Sequence, residues 1–253
     1  MWAEERRQRL LSYISDHGIA QISELCQTLQ VSEATVRRDL NRLETEGIVR
    51  RVHGGAALQE AEASEPPAMQ RAADQSDLKQ LIGRAAAGLV EDGETIVVTS
   101  GTTTEAMTPH LASKNGLTVI TNAINIAYHL SRFPHIAVIV PGGSLRHSEM
   151  SLLGHLTEEA LSDLRADRVF HGTFGIDPDE GLTGTYLLEV QTDRRLMEVA
   201  QEVIVLADHT KFMQKGPVRL APIDLISSIV TDSRAPEESL ARLRERGIRV
   251  IQA

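Results

Sequence analysis

Side chains that could contact a nucleic acid are concentrated between residues 32 and 53. Helical periodicity places Val36, Leu40 and Leu43 on one apolar stripe. The rest of this predicted helix and its start carry hydroxyl, amide and guanidinium groups, from Ser32, Thr35, Arg37, Arg38, Asn41 and Arg42. Such groups can hydrogen-bond to base edges and phosphates in the major groove of DNA. We therefore predict a DNA recognition helix, with Ser32 as its N-cap.

The sequence on either side of this helix predicts a winged helix-turn-helix. Upstream, an apolar stripe at helical spacing predicts the first helix of the motif, through Ile22, Leu25, Cys26 and Leu29. Downstream, Gly47 is expected to end the recognition helix. Residues 48–57 then predict a hairpin, or wing, whose cations would lie on the sugar-phosphate backbone, with Arg50, Arg51 and His53 before a Gly54-Gly55 turn. Amphipathic helices with solvated arginines can be purely structural, but helix pair, turn and wing together favour DNA binding.

Charge and length divide the chain into two domains. The whole chain has 26 Lys and Arg against 35 Asp and Glu, a net charge of −9, whereas residues 1–56 hold eight Arg and eight acidic residues and are neutral. The acidic charge, which argues against nucleic-acid binding, therefore belongs to the remainder. We predict a winged helix-turn-helix domain at 1–57, a linker at 58–77 that contains Pro66-Pro67, and a second domain at 78–253.

Short apolar runs alternate with helical patterns in the second domain. Strands are predicted at 95–99, 117–121, 136–140, 168–170, 203–207 and 225–231. Helices are predicted at 78–90, 102–111, 157–164 and 189–200. Apolar strands separated by helices are typical of a parallel sheet covered on both faces, so the predicted fold class is α/β. Ligands of such sheets bind at the carboxyl ends of the strands.

The turns after three predicted strands could bind an anion. The first turn is small and rich in hydroxyls, which suits a phosphate, and contains Ser100, Gly101, Thr102, Thr103 and Thr104. The next two turns contain Thr121 with Asn122, and Gly142 with Gly143. An ordinary capped turn would explain the first motif equally well, but three such turns at successive strand ends favour a ligand site.

Two later segments could close this site. Residues 170–187 contain four glycines, including Gly175, and are predicted to form a loop. Residues 207–212 place Asp208, His209 and Lys211 just past another predicted strand. Lys211 is one of four lysines in the chain. It could pair with a phosphate, or equally be a solvated surface lysine.

The chain resembles the DeoR family of bacterial transcriptional regulators. The resemblance runs from Arg6 to Asp232 and is carried by VSEATVRRDLNRLETEGIVRRVHGGA, followed in the family's order by SGTTT, VITN, PGGSL, LLG and ADHTKF. It implies a repressor that binds operator DNA through a winged helix-turn-helix. It also implies a second domain similar to ribose-5-phosphate isomerase and glucosamine-6-phosphate deaminase that binds a phosphorylated sugar.

The resemblance also assigns roles to residues of the second domain. It implies that Ser100 to Thr104 hold the phosphate, that the sugar is lined by Thr121, Asn122, Gly142 and Gly143, and that Lys211 closes the site. Position alone adds further candidates: Arg146, Gly175, Glu189, Arg194 and Asp208. Many relatives have an aspartate where this chain has Thr99, which leaves the identity of the sugar open.

An enzyme similar to sugar-phosphate isomerases is the alternative interpretation. Such an enzyme needs a general base beside the ligand, and the loop acids Asp177, Asp179 and Glu180 match no acidic motif of that kind. We therefore expect no catalytic residues and no cofactor. Nine scattered histidines without ligand spacing predict no metal site.

The DNA-binding motif and the hydropathy of the chain also predict its oligomeric state and its location. Reading repeated half-sites requires at least a homodimer, or a homotetramer. The sequence has no run of 18 apolar residues and no signal-peptide pattern, so we expect a cytoplasmic protein without a membrane partner. Cys26 is expected to pack in the first domain.

Overall fold

A computed structural model describes residues 3–17, 19–45, 48–52, 54–58 and 67–253 of the chain. It divides into two compact units, Met1–Glu65 and Pro66–Ala253. The border between the units falls inside the linker predicted at 58–77.

The first unit combines three helices with a small antiparallel sheet. Its helices are α1 (Ala3–His17), α2 (Ile22–Leu29) and α3 (Glu33–Thr45). Its strands are β1 (Ile19–Gln21), β2 (Val49–Val52) and β3 (Gly55–Leu58), in the order β1-β3-β2. This arrangement confirms the predicted winged helix-turn-helix, in which α3 is the recognition helix and β2–β3 is the wing.

The core of the first unit contains both predicted apolar stripes. Leu25 on α2 and Val36 and Leu40 on α3 are fully buried, while Cys26 is half-buried. Leu10 and Ile14 of α1 are fully buried as well. Helix α1 was not predicted, because its apolar positions lie within a strongly charged segment.

Two wing glycines are needed for different reasons. Gly54 has φ +76°, a left-handed conformation that favours glycine in a tight hairpin turn. Gly55 pairs with Gln21, and a Cβ there would lie 2.2 Å from the Ala20 carbonyl oxygen. The Gly-Gly pair therefore both turns the wing and lets it pair closely with β1.

The second unit is an α/β domain. Its helices are α4 (Ala68–Arg71), α5 (Ser76–Ala87), α6 (Thr102–Glu105), α7 (Ile124–Leu130), α8 (His155–Leu161), α9 (Leu187–Glu198) and α10 (Glu237–Glu245). Short 3-10 helices span Thr108–Ser113, His209–Met213 and Ile223–Leu225.

Its strands are β4 (Thr95–Val98), β5 (Thr118–Ile120), β6 (Ala137–Ile139), β7 (Ser144–Arg146), β8 (Ser151–Leu153), β9 (Ala166–Gly172), β10 (Gly175–Asp177), β11 (Gly181–Gly184), β12 (Ala200–Leu206), β13 (Val218–Ala221), β14 (Ser228–Thr231) and β15 (Arg249–Gln252). Seven of them form one parallel sheet in the order β15-β14-β12-β9-β4-β5-β6. The parallel sheet predicted from the apolar runs is confirmed, with β15 as an additional edge strand.

Helices cover both faces of the parallel sheet. On one face Val97 and Val169 pack with residues of α8, α9 and α10. On the other face Val98 and Phe170 pack with residues of α5 and α7. Strands buried on both sides explain why the sequence shows continuous apolar runs instead of alternation.

Two segments differ from the prediction. The helix expected at 102–111 is broken into α6 and the 3-10 helix Thr108–Ser113, which has Pro109 at its first turn. The loop expected at 170–187 is largely the β10–β11 hairpin, and its Ile176 and Leu182 are buried in the core. The glycines of this segment concealed two short strands, in which consecutive residues such as Gly175 and Ile176 are buried.

The predicted linker at 58–77 is too long at its carboxyl end. Residues from Pro67 onward pack within the second unit, where the Ala68 amide donates to the Ser148 carbonyl at 2.8 Å. Pro67 directly precedes α4 and so does not interrupt it. Here proline marks the start of a helix.

Candidate functional site

Helix α3 presents the predicted recognition face to solvent. Its apolar side chains are buried, whereas Arg37, Arg38, Asn41 and Arg42 are exposed and Thr35 is half-buried. These polar groups therefore lie where they could contact base edges if α3 enters the major groove of DNA.

The start of α3 uses two predicted contact residues for local structure. The Thr35 amide donates to the Ser32 hydroxyl at 3.3 Å, and the two hydroxyls lie 2.9 Å apart. Ser32 is thus an N-cap as predicted. Arg37 forms an exposed ion pair with Glu33 at 2.5 Å. Arg38 has no such partner among the described residues, so its guanidinium is available to a ligand.

A buried ion pair beneath α3 was missed by the sequence analysis. Asp39 is 4% exposed and accepts hydrogen bonds from Arg6 of α1, at 2.5 Å from Nε and 3.2 Å from Nη2. The hydrogen bond to the Asp39 carboxylate raises the pKa of Arg6. This pair joins α1 to the recognition helix. The sequence did contain a sign of this pair, because Asp39 lies at i+3 from Val36, on the apolar stripe.

The wing is only partly described. Arg51 is half-buried and its Nη1 is buried, so the structure does not place it as the exposed cation that was predicted. Its place in β2 turns part of the guanidinium toward protein. The side chain of Arg50, together with Gly47 and His53, lies outside the described residues.

The second candidate site lies at the carboxyl edge of the parallel sheet. Because β4, β5, β6, β9 and β12 are parallel, the segments that follow them lie at the same edge. The strand order reverses between β4 and β9, where successive connections run to opposite sides. Ligands of open α/β sheets bind in the crevice at such a switch point.

Hydrogen bonds bring the predicted turns together. The Ser100 amide donates to Asn122 Oδ1 at 3.3 Å, which joins the turns after β4 and β5. The Gly172 amide donates to the Thr99 hydroxyl at 3.3 Å, which joins β9 to the end of β4. Thr99 is therefore a buried link between strands.

The Ser100–Thr104 turn has backbone amides that could bind an anion, but the helix that follows it is short. The Glu105 amide donates to the Gly101 carbonyl at 2.9 Å, so the amides of Thr102, Thr103 and Thr104 come before this first helical hydrogen bond. Because α6 is a single turn, a large helix dipole is not available. The amides and hydroxyls of the turn itself must carry any anion binding.

The predicted sugar-lining residues are mostly engaged with the protein. The Thr121 hydroxyl accepts from the Ala123 amide at 3.1 Å. The Gly142 carbonyl accepts from Thr157 at 2.6 Å, and a Cβ at Gly142 would meet no atom within 4 Å. At Gly143 a Cβ would lie 2.1 Å from the Thr157 hydroxyl oxygen. Gly143 is required by packing, whereas Gly142 borders open space.

A network of charged groups joins the β7–β8 hairpin to α9. Arg146 forms an ion pair with Glu189 and lies 4.7 Å from the Tyr186 ring centroid. The Ser151 hydroxyl lies 3.5 Å from Glu189 Oε1. Burial raises the pKa of Glu189 to about 7, although Arg146 opposes the shift. Two candidates for specificity therefore bind each other in this structure.

The segment after β12 is held by its own hydrogen bonds. Asp208 is buried and accepts from the Thr210 amide at 2.9 Å, so it caps a 3-10 helix. His209 Nδ1 lies 3.2 Å from the Asp232 carboxylate. Lys211 is half-buried, with its Nζ 5.8 Å from the Phe174 ring centroid. Of these three residues, Lys211 remains the candidate for binding a ligand, at the edge of the site.

Two other candidates have structural explanations. A Cβ at Gly175 would lie 2.1 Å from the Gln214 carbonyl oxygen, so packing requires this glycine. The exposed Arg194 binds backbone carbonyls of β13, including that of Leu220 at 3.0 Å.

The loop acids considered as possible catalytic groups are also engaged. Asp177 accepts from the amides of Asp179 and Glu180 at 2.8 and 3.0 Å. Asp179 forms ion pairs with Arg242 and Arg246. These carboxylates shape the β10–β11 turn and its surface.

Two groups of buried polar residues were not predicted. Lys79 of α5 is 6% exposed and donates to the Arg71 carbonyl at 2.6 Å. His171 Nε2 lies 3.6 Å from Asp193 Oδ2, and neither ring nitrogen of His171 has a hydrogen-bond partner among the described residues. The sequence did contain a sign that Lys79 is buried, because it lies at i−3 from Ile82, on the apolar stripe of its helix.

The described part of the chain holds neither a metal-ligand cluster nor a helix that could span a membrane. Among those residues, no group of three His, Cys, Asp or Glu side chains could hold a metal ion. None of the described helices is both long and apolar enough to cross a membrane.

Comparison with known proteins identifies both units. A family model for the DeoR-like helix-turn-helix domain matches residues 6–62, and one for the DeoR C terminal sensor domain matches residues 74–233. Among solved structures, ribose 5-phosphate isomerase A from Methanocaldococcus jannaschii is similar with a TM-score of 0.40 and 17% identity over 55% of each chain. The sorbitol operon regulator SorC from Klebsiella pneumoniae has a TM-score of 0.39 and 13% identity, over 94% of this chain and 98% of that one.

Curated relatives match along almost their whole length. The transcriptional repressor CsqR of Escherichia coli is 32% identical, over 97% of this chain and 94% of that protein. The repressor GlcR of Bacillus subtilis is 33% identical over the same shares. The glycerol-3-phosphate regulon repressor of Escherichia coli is 30% identical over 97% of both chains. With both domain models matched in order and these identities over the full length, the chain belongs to the DeoR family of transcriptional regulators.

Proposed function

We propose that this regulator represses an operon of carbohydrate metabolism and leaves its operator when it binds a phosphorylated sugar or a related metabolite. The main support for this proposal is that one chain combines two features. It has an exposed recognition helix, and in its second unit the loops after five parallel strands meet at the carboxyl ends of those strands. The name of one relative, the glycerol-3-phosphate regulon repressor, refers to a phosphorylated small molecule, which supports this ligand class.

The proposed DNA contacts follow from exposure on α3. Arg38 and Asn41 would read base edges, because they are exposed and lie on the face opposite Val36 and Leu40. Contacts to phosphates would come from the helix start, its flank and the wing: Ser32, Thr35, Arg37, Arg42, Arg50, Arg51 and His53. Arg51 would contribute least of the wing cations, since part of its guanidinium is buried.

The proposed effector contacts follow from position at the carboxyl edge of the sheet. The amides and hydroxyls of Ser100–Thr104 would bind the phosphate, and Lys211 would approach it from the segment after β12. The sugar would lie over Thr121, Asn122, Gly142 and Gly143. Arg146, Gly175 and Asp208 would shape the site through their contacts with the protein.

Linkage between the two sites would produce regulation. A ligand that binds more tightly to one arrangement of the chain than to another shifts the population toward the favoured one. Operators with repeated half-sites need two recognition helices, so we propose a homodimer or homotetramer as the DNA-binding form. Analytical ultracentrifugation of the full chain measures this directly, and a protein that binds its operator as a monomer contradicts it.

The first experiment is a thermal-shift screen of phosphorylated sugars, polyol phosphates and their unphosphorylated parents. A ligand that binds the folded state raises Tm with concentration. We expect phosphorylated members alone to raise Tm, and the same members to release a fluorescent operator duplex. Equal shifts from phosphorylated and parent compounds would contradict a phosphate-dependent site.

A matched pair of threonine variants locates the binding. Thr102→Val removes a hydroxyl at the carboxyl edge, whereas Thr118→Val removes one at the start of β5, at the opposite edge of the sheet. We expect the ligand-induced shift in Tm to fall in Thr102→Val and to remain in Thr118→Val. The reverse pattern would place the ligand elsewhere in the domain.

A further inference from the structure

Lys79 is a buried ammonium whose place on its helix needs an explanation. It lies on the buried stripe of α5, with Ile82, Gly83 and Ala86 at i+3, i+4 and i+7. Lysines are almost never this buried unless they are paired. Its recorded hydrogen bond goes to a neutral acceptor, the Arg71 carbonyl, at 2.6 Å. Since an ammonium has three N–H donors, two remain for other acceptors.

The fold places Lys79 at the carboxyl edge of the sheet. Helix α5 is followed by β4 after a short turn and covers the sheet, so its first residues lie near the carboxyl ends of the strands. Gly83, one turn further along α5, packs so closely that a Cβ there would lie 2.6 Å from the Ala106 carbonyl carbon. The buried stripe that carries Lys79 therefore packs on the segment that follows the Ser100–Thr104 turn.

Charges around Lys79 come from several elements. Burial lowers its pKa, the carboxylate of Asp208 opposes that shift, and the nearby cations Lys211 and Arg71 reinforce it. Asp74 is the other carboxylate within electrostatic reach. Asp208 already accepts hydrogen bonds from Thr210. Arg71 is paired with a third carboxylate, that of Glu149. The ammonium groups of Lys79 and Lys211 lie close enough to disfavour each other's charge, and a bound anion would relieve that repulsion.

The acceptor of the Lys79 hydrogen bond belongs to α4. This short helix is the first described element after residue 58, and three of its polar contacts attach it to the second unit. They are the Ala68 amide to the Ser148 carbonyl at 2.8 Å, Arg71 to Glu149 at 2.5 Å, and Lys79 to the Arg71 carbonyl. The chain that leaves the DNA-binding unit therefore enters the second unit through a helix attached to Lys79.

We propose that Lys79 is an anion-binding residue of the effector site, and that a phosphate bound to its two remaining N–H donors pulls the ammonium away from the Arg71 carbonyl and so loosens α4. A doubly charged phosphate is a stronger acceptor than a neutral carbonyl, so the ammonium moves toward the ligand. The inference rests on the proposed function, because it assumes a phosphate at the Ser100–Thr104 turn. It adds a ligand-binding residue and a physical route from that ligand to the start of the second unit.

Lys79→Met in the full chain tests the binding role, with inorganic phosphate as the probe at ionic strength held constant with sodium chloride. Lys114→Met is the matched control, because Lys114 also donates to a backbone carbonyl, that of Val90 at 2.5 Å, but precedes β5 at the opposite edge. We expect Lys79→Met to weaken phosphate binding about tenfold or more, as for loss of a charged hydrogen bond, and Lys114→Met to leave it nearly unchanged. Phosphate binding equal to wild type in Lys79→Met overturns the proposal.

Hydrogen exchange tests the loosening of α4. In the wild type, saturating phosphate should speed exchange of the Arg71 and Ala72 amides, which donate within and at the end of α4, about threefold or more. Lys79→Gln removes the charge but keeps a donor for the Arg71 carbonyl, so it should bind phosphate weakly and keep α4 protected. Unchanged α4 exchange at saturation overturns this loosening.

The outcomes separate this inference from the function on which it rests. If the wild type binds neither inorganic phosphate nor any phosphorylated sugar, the effector class and the role of Lys79 both fall. If it binds phosphate, and Lys79→Met and Lys79→Gln bind equally well, only the role of Lys79 falls.

Discussion

The recognition helix and the carboxyl edge of the sheet hold their polar side chains in opposite ways. On α3, Arg38 and Asn41 are exposed. At the sheet edge, Thr102, Asn122 and Asp208 are buried, and the last two are bonded to neighbouring segments. A DNA duplex lies outside the protein and can be reached by exposed groups, whereas a small ligand requires groups that are already held in place. Substitutions on α3 should therefore change binding alone, and those at the sheet edge should change binding and stability together.

The largest effect is expected where the first unit departs from this contrast. Asp39→Ala removes a buried carboxylate and leaves Arg6 without its partner. We expect the free energy of unfolding of the first unit to fall by about 3 kcal/mol. Urea denaturation of the full chain followed by far-UV circular dichroism measures it. The control Glu33→Ala breaks an exposed pair and should change stability by less than about 0.5 kcal/mol. Equal losses would show that burial does not distinguish the pairs.

The next effect concerns the buried charges of the second unit. Burial raises the pKa of Glu189 to about 7 from an ordinary value of 4.5. Over that range the folded carboxyl keeps a proton that the unfolded one has lost, so this group makes stability fall as pH rises from about 4.5 to about 7. Glu189→Gln should flatten the profile by on the order of 2 kcal/mol.

Chemical denaturation at several pH values measures this change in slope. Glu198→Gln, on the exposed side of the same helix, is the control and should keep the wild-type profile. A profile for Glu189→Gln with the wild-type slope would mean that Arg146 fully offsets the burial of Glu189.

Arg38→Ala sharpens the contrast from the DNA side. Because Arg38 is exposed and pairs with none of the described residues, we expect no change in Tm but a loss of about 1.5 kcal/mol, roughly tenfold, in operator affinity. Base preference should also relax. Anisotropy titrations against an operator recovered from a random duplex library measure both quantities. Arg37→Ala should lose less, since Arg37 must leave Glu33 to reach DNA. Unchanged operator affinity in Arg38→Ala would show that the recognition face has been assigned to the wrong side of α3.

The smallest effect is expected in the wing. Arg50→Ala should weaken binding to all duplexes alike and reduce the salt slope by about 1. Arg51→Ala should change the salt slope less, because part of that guanidinium is buried. Titrations at several salt concentrations provide the slopes. A sequence-dependent loss in Arg50→Ala would indicate a base contact instead of a phosphate contact.

Periodicity predicted most of the fold, because it reports burial directly. The stripes of α2 and α3 and the apolar strands of the parallel sheet were confirmed for this reason. The pattern failed where another effect decided the structure. Pro109 divides the helix expected at 102–111, and the glycines around Ile176 concealed a buried hairpin.

The sites were less predictable, because partners come from distant parts of the chain. The order of polar turns after strands was visible in the sequence, since parallel strands bring their ends to one edge. That Arg146 binds Glu189, or that Lys79 binds the Arg71 carbonyl, depends on how hairpins and helices pack over that edge. Charged residues on apolar stripes, such as Asp39 and Lys79, were the one local signal of such pairs.

The central strands β4 and β9 also set the order in which the chain can fold. The Thr95 amide donates to Asp167, 72 positions later, and Ile96 pairs with Arg168. Closing a loop of that length carries a large entropic penalty before any pairing is gained, and such topologies fold slowly. In the first unit the Arg6–Asp39 contact spans only 33 positions. During synthesis the DNA-binding unit can therefore finish folding before β9 has been made. Until then the edge of β4 that pairs with β9 is exposed and can pair with other chains.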